Sequence, residues 1–160
     1  MKITTLTLTF LLTTLTTSSH AAEGGHLLLH VSLNDRLQAL EIRKKGRPFR
    51  HDAIEDLGPG DHVIFRPYEE GEYYISRAVI SKGPAYSAKV ELGEEFSFTV
   101  KDGYLSYAGH FDLLKIANRR YLPRFVNRAS QGLKWQREHA DTSISELPFF
   151  VSLDPQDAYP

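Results

Sequence analysis

The chain has 160 residues, with 19 basic and 20 acidic side chains, no cysteine and a formal net charge of −1. This charge balance argues against a dedicated nucleic-acid binder, which carries a surplus of basic residues. The absence of cysteine excludes disulfide bonds and thiol chemistry, so that stability must come from a hydrophobic core.

The first predicted element is an export signal. The stretch MKITTLTLTFLLTTLTTSSHAA places one cation, Lys2, before an uncharged apolar run and a small-residue cleavage site. These are the three regions of a secretory signal peptide, and the apolar run falls short of the about 20 residues of a membrane-spanning helix. We therefore expect a cleaved signal peptide over residues 1–21, a single β-sandwich domain over 22–154 and a tail over 155–160. The product would be periplasmic or secreted, with no membrane span after cleavage.

Alternation of apolar and polar side chains dominates the remaining chain and predicts a series of short strands. Turn residues such as Gly58-Pro59-Gly60-Asp61 and Lys101-Asp102-Gly103 separate them. The predicted strands are HLLLHVSL (26–33), LQALEIRK (37–44), HVIFRPY (62–68), EYYISRAVI (72–80), YSAKVEL (86–92), EEFSFTV (94–100), YLSYAGHFDLL (104–114) and IANRRYLPRFV (116–126).

One helix is predicted near the C-terminus, from Asn127 or Ser130 to His139, with Asn127 as a cap and Gly132 as an unfavourable helix residue. A short strand over residues 149–153 follows. Many short strands separated by turn signals are typical of a mainly β fold. We expect a single antiparallel β-sandwich of about 7–9 strands with one short C-terminal helix.

The stretch RPYEEGEYYISRAVI is predicted to be a hairpin whose turn is Glu69-Glu70-Gly71. Gly71 suits the positive φ of such a turn. The ring of Tyr73 is expected to lie against the core, because a tyrosine just past such a turn commonly bonds its hydroxyl to the backbone at the end of a sandwich. The alternative is a ligand site built from the same glutamates and tyrosines.

Two motifs carry a resemblance. EEGEYYI resembles the turn-glycine-x-tyrosine signature of transthyretin-like and carboxypeptidase-regulatory-like β-sandwiches, with Glu70 where proline is usual. FSFTVKDGYLSYAGHFDLL is similar to the pattern that follows it in uncharacterised periplasmic and lipoprotein β-sandwich families of Gram-negative bacteria. The resemblance covers residues 60–115. It implies a β-sandwich in the bacterial envelope and supplies no catalytic residues.

Two basic stretches are the strongest binding candidates. IRKKGRPFRH and NRRYLPRFVNR mix cations with aromatic rings, a composition that suits lipid head groups, acidic glycans or an acidic protein face. A solvated turn and a charged edge strand that blocks aggregation are the alternative interpretation. The candidate binding residues are Arg43, Lys44, Lys45, Arg47, Arg119, Arg120 and Arg124, with Tyr74 and Tyr104 as aromatic candidates.

Metal binding and catalysis have weaker support. His26 and His30 share a strand face about 13 Å apart, too far to ligate one ion without partners such as His62 or His110. Ser106, His110 and Asp112 also share a predicted face, but no oxyanion element accompanies them. We expect no catalytic residues, no bound metal and no cofactor.

The sequence therefore predicts a non-enzymatic binding module for an envelope protein or an anionic polymer. An inhibitor or immunity-type protein is the first alternative. A metal-dependent enzyme or metal-binding protein that uses cross-strand histidines is the second.

Overall fold

The computed structural model describes residues 24–47, 49, 51–81, 83, 87–118, 120–139 and 143–153. The predicted signal peptide, the predicted tail and Arg119 lie outside the described residues. The strands are β1 Gly25–Leu33, β2 Leu37–Lys44, β3 His51–Leu57, β4 Gly60–Tyr68, β5 Gly71–Ser81, β6 Ser87–Glu91, β7 Ser97–Val100, β8 Leu105–Ala117, β9 Arg120–Val126 and β10 Phe149–Val151. One α-helix, α1 (Ala129–Glu138), precedes β10.

The strands form two sheets that pack face to face. Sheet A has the order β10-β8-β1-β4, and sheet B has the order β3-β2-β5-β6. Two further strands extend these sheets: β9 pairs with β8 beyond the segment that pairs with β10, and β7 pairs with β5 before the segment that pairs with β6. The predicted fold class, mainly β with a helix near the C-terminus, is confirmed.

The pairing differs from a wholly antiparallel sandwich at the centre of sheet A. Both β1 and β10 run parallel to β8, whereas β4 and β9 pair antiparallel. Parallel neighbours need a long connection, and here all the strands of sheet B lie between β1 and β8 in the chain.

The core between the sheets follows from the alternation in each strand. Leu27, Leu29 and Val31 of β1 point inward and belong to the same buried cluster as Ile42 and Ile75 of sheet B. All five are at most 1% exposed. Burial of one such side chain stabilises the fold by about 1.5–3 kcal/mol.

Sheet A buries its outer face as well, beneath α1. Leu28, Leu105 and Tyr107 point away from the sandwich core and form a second cluster with Trp135 of the helix. Because β1 is covered on both faces, it contains a nearly continuous apolar run rather than a clean alternation. Among the described residues, no helix combines the length and the apolar character needed to cross a membrane.

Strand β8 changes face at a bulge. Ala108 has no partner in the register with β1, so Tyr107 and Gly109 occupy consecutive paired positions. The expectation that Leu105 and Tyr107 share a face with Phe111 is therefore wrong: Phe111 lies in the core between the sheets, and the other two face α1. One extra residue shifts every later side chain to the opposite face.

Other differences concern the limits of strands. The sequence analysis did not predict β3, because its segment HDAIEDL buries only Ile54. The predicted strand over 94–100 begins with a 3-10 turn at Glu94–Phe96. The predicted strands over 104–114 and 116–126 form one hairpin, in which β8 continues to Ala117 before β9 returns.

Candidate functional site

One end of the sandwich carries a pocket of about 320 Å³. It lies where the turn after β2 and the turn after β4 approach each other, at the end of sheet A where β1 begins. We call it the end pocket; its lining residues are Ile42, Lys44, Arg47, His51, Asp52, Pro67, Tyr68, Glu69 and Tyr73.

The end pocket contains two of the cations predicted from the sequence. Lys44 Nζ lies 3.2 Å from Glu69 Oε2, and Arg47 NH1 lies 3.3 Å from the same oxygen. Glu69 belongs to the turn between β4 and β5, and its side chain is 57% exposed. Two cations therefore converge on a single, solvent-accessible carboxylate oxygen.

Tyr73 forms an aromatic wall of the end pocket. Its hydroxyl donates to the Glu69 carbonyl oxygen at 2.7 Å, as expected for a tyrosine just past this turn. Its ring stacks on Phe98 and meets the ring of Tyr68 edge-on, with centroids 5.2 Å apart in the second pair. Lys44 Nζ lies 5.5 Å from the Tyr73 ring centroid. These contacts fix the cation over an aromatic wall.

The lining of the end pocket also contains a carboxylate, Asp52, that already has partners. The Tyr68 hydroxyl donates to Asp52, and Arg66 NH1 lies 3.7 Å from Asp52 Oδ2. Burial, together with this carboxylate, raises the pKa of Tyr68 well above its ordinary range. Tyr68 therefore remains a neutral hydrogen-bond donor throughout the physiological pH range.

Two further cations of the first basic stretch, Arg43 and Lys45, lie outside the end pocket. Lys45 pairs with Glu72 at 3.2 Å and with Glu94 at 3.6 Å. Arg43 lies opposite Tyr74 in the register of β2 and β5, on the strand face that alternates away from Tyr73. Of the four predicted residues in this stretch, the structure thus brings only Lys44 and Arg47 together in a concave site.

The second basic stretch does not join the first. Arg120 begins β9 opposite Ala117, at the end of sheet A remote from the end pocket, and Arg124 lies opposite Asp112. Tyr104 is 38% exposed in the turn before β8, where Lys101 Nζ lies 5.8 Å from its ring centroid. As far as the structure describes them, the two basic stretches therefore do not form one continuous surface.

A second polar cluster lies on the outer face of sheet A. His30 and His110 are cross-strand partners, with ring centroids 5.8 Å apart, and both are at most 9% exposed. His110 Nε2 lies 3.0 Å from Asp112 Oδ1 and 2.6 Å from Ser32 Oγ. Ser32 Oγ in turn donates to Asp61.

This cluster contains a serine, a histidine and an aspartate, but not in the geometry of a catalytic triad. In a triad the serine and the aspartate use different imidazole nitrogens, whereas Ser32 and Asp112 both contact Nε2 of His110. The other nitrogen, Nδ1, accepts from Arg128 NH1 at 3.3 Å. The Ser106 expected from the sequence lies on the opposite side of the bulge in β8 and accepts from the Lys101 backbone amide.

The described residues contain no group of three or more His, Cys, Asp or Glu side chains arranged to hold a metal ion. His26 stacks on Phe65 instead of facing His30, with centroids 5.2 Å apart. The Arg128 guanidinium beside His110 would also repel a cation there.

Several of these residues were not singled out in the sequence. His51 and Asp52 belong to β3, which was not predicted, and Asp61 belongs to a segment that was predicted only as a turn. One signal in the sequence could have indicated the contact between these turns: KKGR is basic and EEGE is acidic, and both lie in turns that can meet at one end of a sandwich.

Comparison of the chain with protein-family models, with curated proteins and with solved structures finds no match.

Proposed function

We propose that this chain is an exported, non-enzymatic binding module that holds an anionic group of an envelope protein or polymer in the end pocket. The observation that supports this most directly is the sharing of one Glu69 oxygen by Lys44 and Arg47. Two cations facing one carboxylate leave positive charge for an incoming anion.

Glu69 is easily displaced. Ion pairs with an exposed partner contribute only about 0–1 kcal/mol, because water competes for both charges. A carboxylate or sulfate from a ligand would take the place of the Glu69 side chain between Lys44 and Arg47, and the paired N–H donors of the Arg47 guanidinium match two oxygens of either group.

The volume and walls limit what the end pocket can take. At about 320 Å³ it lies near the lower limit of ligand pockets, which span about 300–1,000 Å³. It therefore suits a single anionic sugar or side chain of a larger partner. The aromatic walls formed by Tyr68 and Tyr73 offer an apolar surface for the body of that group. Asp52 opposes anion binding only weakly, since Tyr68 and Arg66 already engage it.

One observation favours a protein partner and supports the inhibitor-type alternative. Phe49, in the connection between β2 and β3, is 98% exposed. It lies two residues from Arg47, which lines the end pocket. A fully exposed aromatic side chain on a connection is suited to insertion into a pocket of a partner protein.

The proposal is tested by equilibrium binding to a fluorescently labelled polygalacturonate oligomer, measured by anisotropy. The Lys44→Gln, Arg47→Gln double variant should bind at least about tenfold more weakly, because two charge-assisted contacts are lost. The matched control is Arg36→Gln, Lys134→Gln, which removes the same charge from pairs with Asp56 and Glu138 elsewhere. Glu69→Gln should bind more tightly than the unmodified protein.

Loss of binding in the pocket variant alone supports the end pocket as the site. Equal losses in the pocket variant and the control would show that only net charge matters and would contradict the proposal. Failure of the unmodified protein to prefer the polyanion over neutral dextran would also contradict it.

A further inference from the structure

The start of α1 is joined to the polar cluster of sheet A through the side chains of Arg128 and Gln131. Arg128 directly precedes the helix; its NH1 donates to His110 Nδ1 at 3.3 Å, and its NH2 lies 3.6 Å from Asp112 Oδ2. We call this set of contacts the Arg128 clasp. Gln131, in the first turn of the helix, also interacts with both imidazoles.

The clasp fixes the protonation state of His110. A guanidinium has only donors, so Nδ1 of His110 must accept and the ring proton must be on Nε2. In this neutral tautomer both ring nitrogens of His110 have hydrogen-bond partners, because Nε2–H faces the oxygens of Asp112 and Ser32. A second proton would have to enter at Nδ1, against Arg128.

His30 adds to the same constraint. Its ring lies edge-on to those of His110 and Tyr107, and its buried Nε2 makes no hydrogen bond within the described residues. The groups that face the two imidazoles come from every neighbouring element: Ser32 from β1, Asp61 from β4, Tyr107 and Asp112 from β8, Arg124 opposite Asp112 on β9, and Arg128 and Gln131 at the start of α1.

Acid protonation is disfavoured at both histidines while the helix is docked. Burial lowers the pKa of His30, and the neighbouring His110 and Arg128 lower it further, while Gln131 and Asp61 oppose part of this shift. Burial also lowers the pKa of His110; Asp112 opposes this shift and Arg128 adds to it. Burial raises the pKa of Tyr107 to about 12, so that this ring stays neutral and takes no part.

The sign of the resulting pH dependence follows from linkage. When the docked state binds protons less readily than the released or unfolded state, its stability is full above the ordinary histidine pKa of about 6.5 and is lost as pH falls towards the lowered values. We propose that the Arg128 clasp is an acid-sensitive latch: protonation of His30 and His110 expels Arg128 and releases α1 from the outer face of sheet A. Release would uncover the apolar surface of Leu28 and Tyr107 that the helix covers.

Trp135 is a suitable reporter, since it is the single tryptophan of the chain and packs in the interface of α1 with sheet A. His139 stacks on it at 4.2 Å and would quench its emission on protonation. All proteins in the experiment therefore carry His139→Gln. Tryptophan emission and amide-exchange protection factors of α1 are followed from pH 8 to pH 4.

With an unmodified clasp, α1 should lose protection as pH falls below about 6.5, while β2 and β5 of sheet B stay protected. His110→Asn retains an oxygen near the position of Nδ1 but does not titrate, so α1 should stay docked to lower pH. His30→Gln should also move the midpoint to lower pH and reduce the number of protons taken up. The control His62→Gln, at a histidine whose ring nitrogen bonds to the Gly58 carbonyl oxygen, should leave the midpoint unchanged.

A third variant decides the matter if both histidine variants fold poorly. Arg128→Gln removes the clasp from a side chain that is 42% exposed, and should give low protection of α1 already at neutral pH with little further dependence on pH. The proposal is overturned if α1 and sheet B lose protection together in acid, or if these variants keep the midpoint of the unmodified clasp.

Discussion

At the scale of single residues, the end pocket depends on how a few side chains meet. Lys44 and Arg47 stand out in the sequence as cations, but their meeting at one oxygen of Glu69 depends on which turns share an end of the sandwich. The sequence predicts both turns but does not show that they lie side by side. The contact between the Tyr73 hydroxyl and the Glu69 backbone was predictable, because it forms within four residues of the chain.

Gly109 is the residue on which the face change of β8 depends. Its φ of +127° is unfavourable for any other residue, and a Cβ atom there would lie 2.6 Å from Leu153 Cδ1. We expect Gly109→Ala to lower the free energy of unfolding by roughly 1–3 kcal/mol or more. Gly58→Ala is the matched control, since a Cβ at Gly58 would meet no atom within 4 Å.

Urea unfolding of both variants checks this expectation. A change within about 0.5 kcal/mol is expected for the control, as for most surface substitutions. Equal stability of the two variants would mean that the bulge does not adopt this backbone conformation.

At the scale of elements, helix α1 shows how a sequence signal can have the opposite meaning in the structure. Gly132 lowers helix propensity and argued against the helix, yet it lies where the helix packs closely on sheet A. A Cβ there would lie 2.8 Å from Tyr107 Cδ2 and 2.9 Å from Phe149 Cζ. The glycine is therefore required by packing, which a single sequence does not show.

This explanation predicts the direction of a substitution in α1. Propensity alone would make Gly132→Ala stabilising by about 1 kcal/mol. We expect destabilisation instead, with a lower thermal unfolding midpoint and a red-shifted emission of Trp135 as the helix is pushed from the sheet. Ser130→Ala, at an exposed position of the same helix, should change neither. A higher midpoint for Gly132→Ala would contradict the close contact.

The limits of strands were predictable where one face is clearly apolar. β1, β2 and β5 follow the predicted ranges closely, because each has a face of apolar side chains that packs in the core between the sheets. β3 buries one isoleucine and carries four exposed acidic or histidine side chains, so its pattern resembles a loop. Its strand state comes from pairing with β2, which is a tertiary effect.

At the scale of the whole molecule, the end pocket and the Arg128 clasp lie in different places. The end pocket lies where β1 begins, whereas Ser32 and Asp61 place the polar cluster near the other end of the same strand. The sandwich class followed from the strand count and turn signals. The parallel pairing of β1 with β8, which brings His30 beside His110, did not, because it joins segments far apart in the chain.

The central claim is that the end pocket is where this protein binds its partner. Its most direct test is a nuclear magnetic resonance titration of the labelled protein with a galacturonate oligosaccharide, followed by backbone amide shifts. We predict that the largest shifts occur in residues 42–52 and 67–73, and that the amides of β9 and α1 stay unperturbed. Shifts confined to β9 or the helix, or no shifts at the highest oligosaccharide concentration tested, would contradict this account.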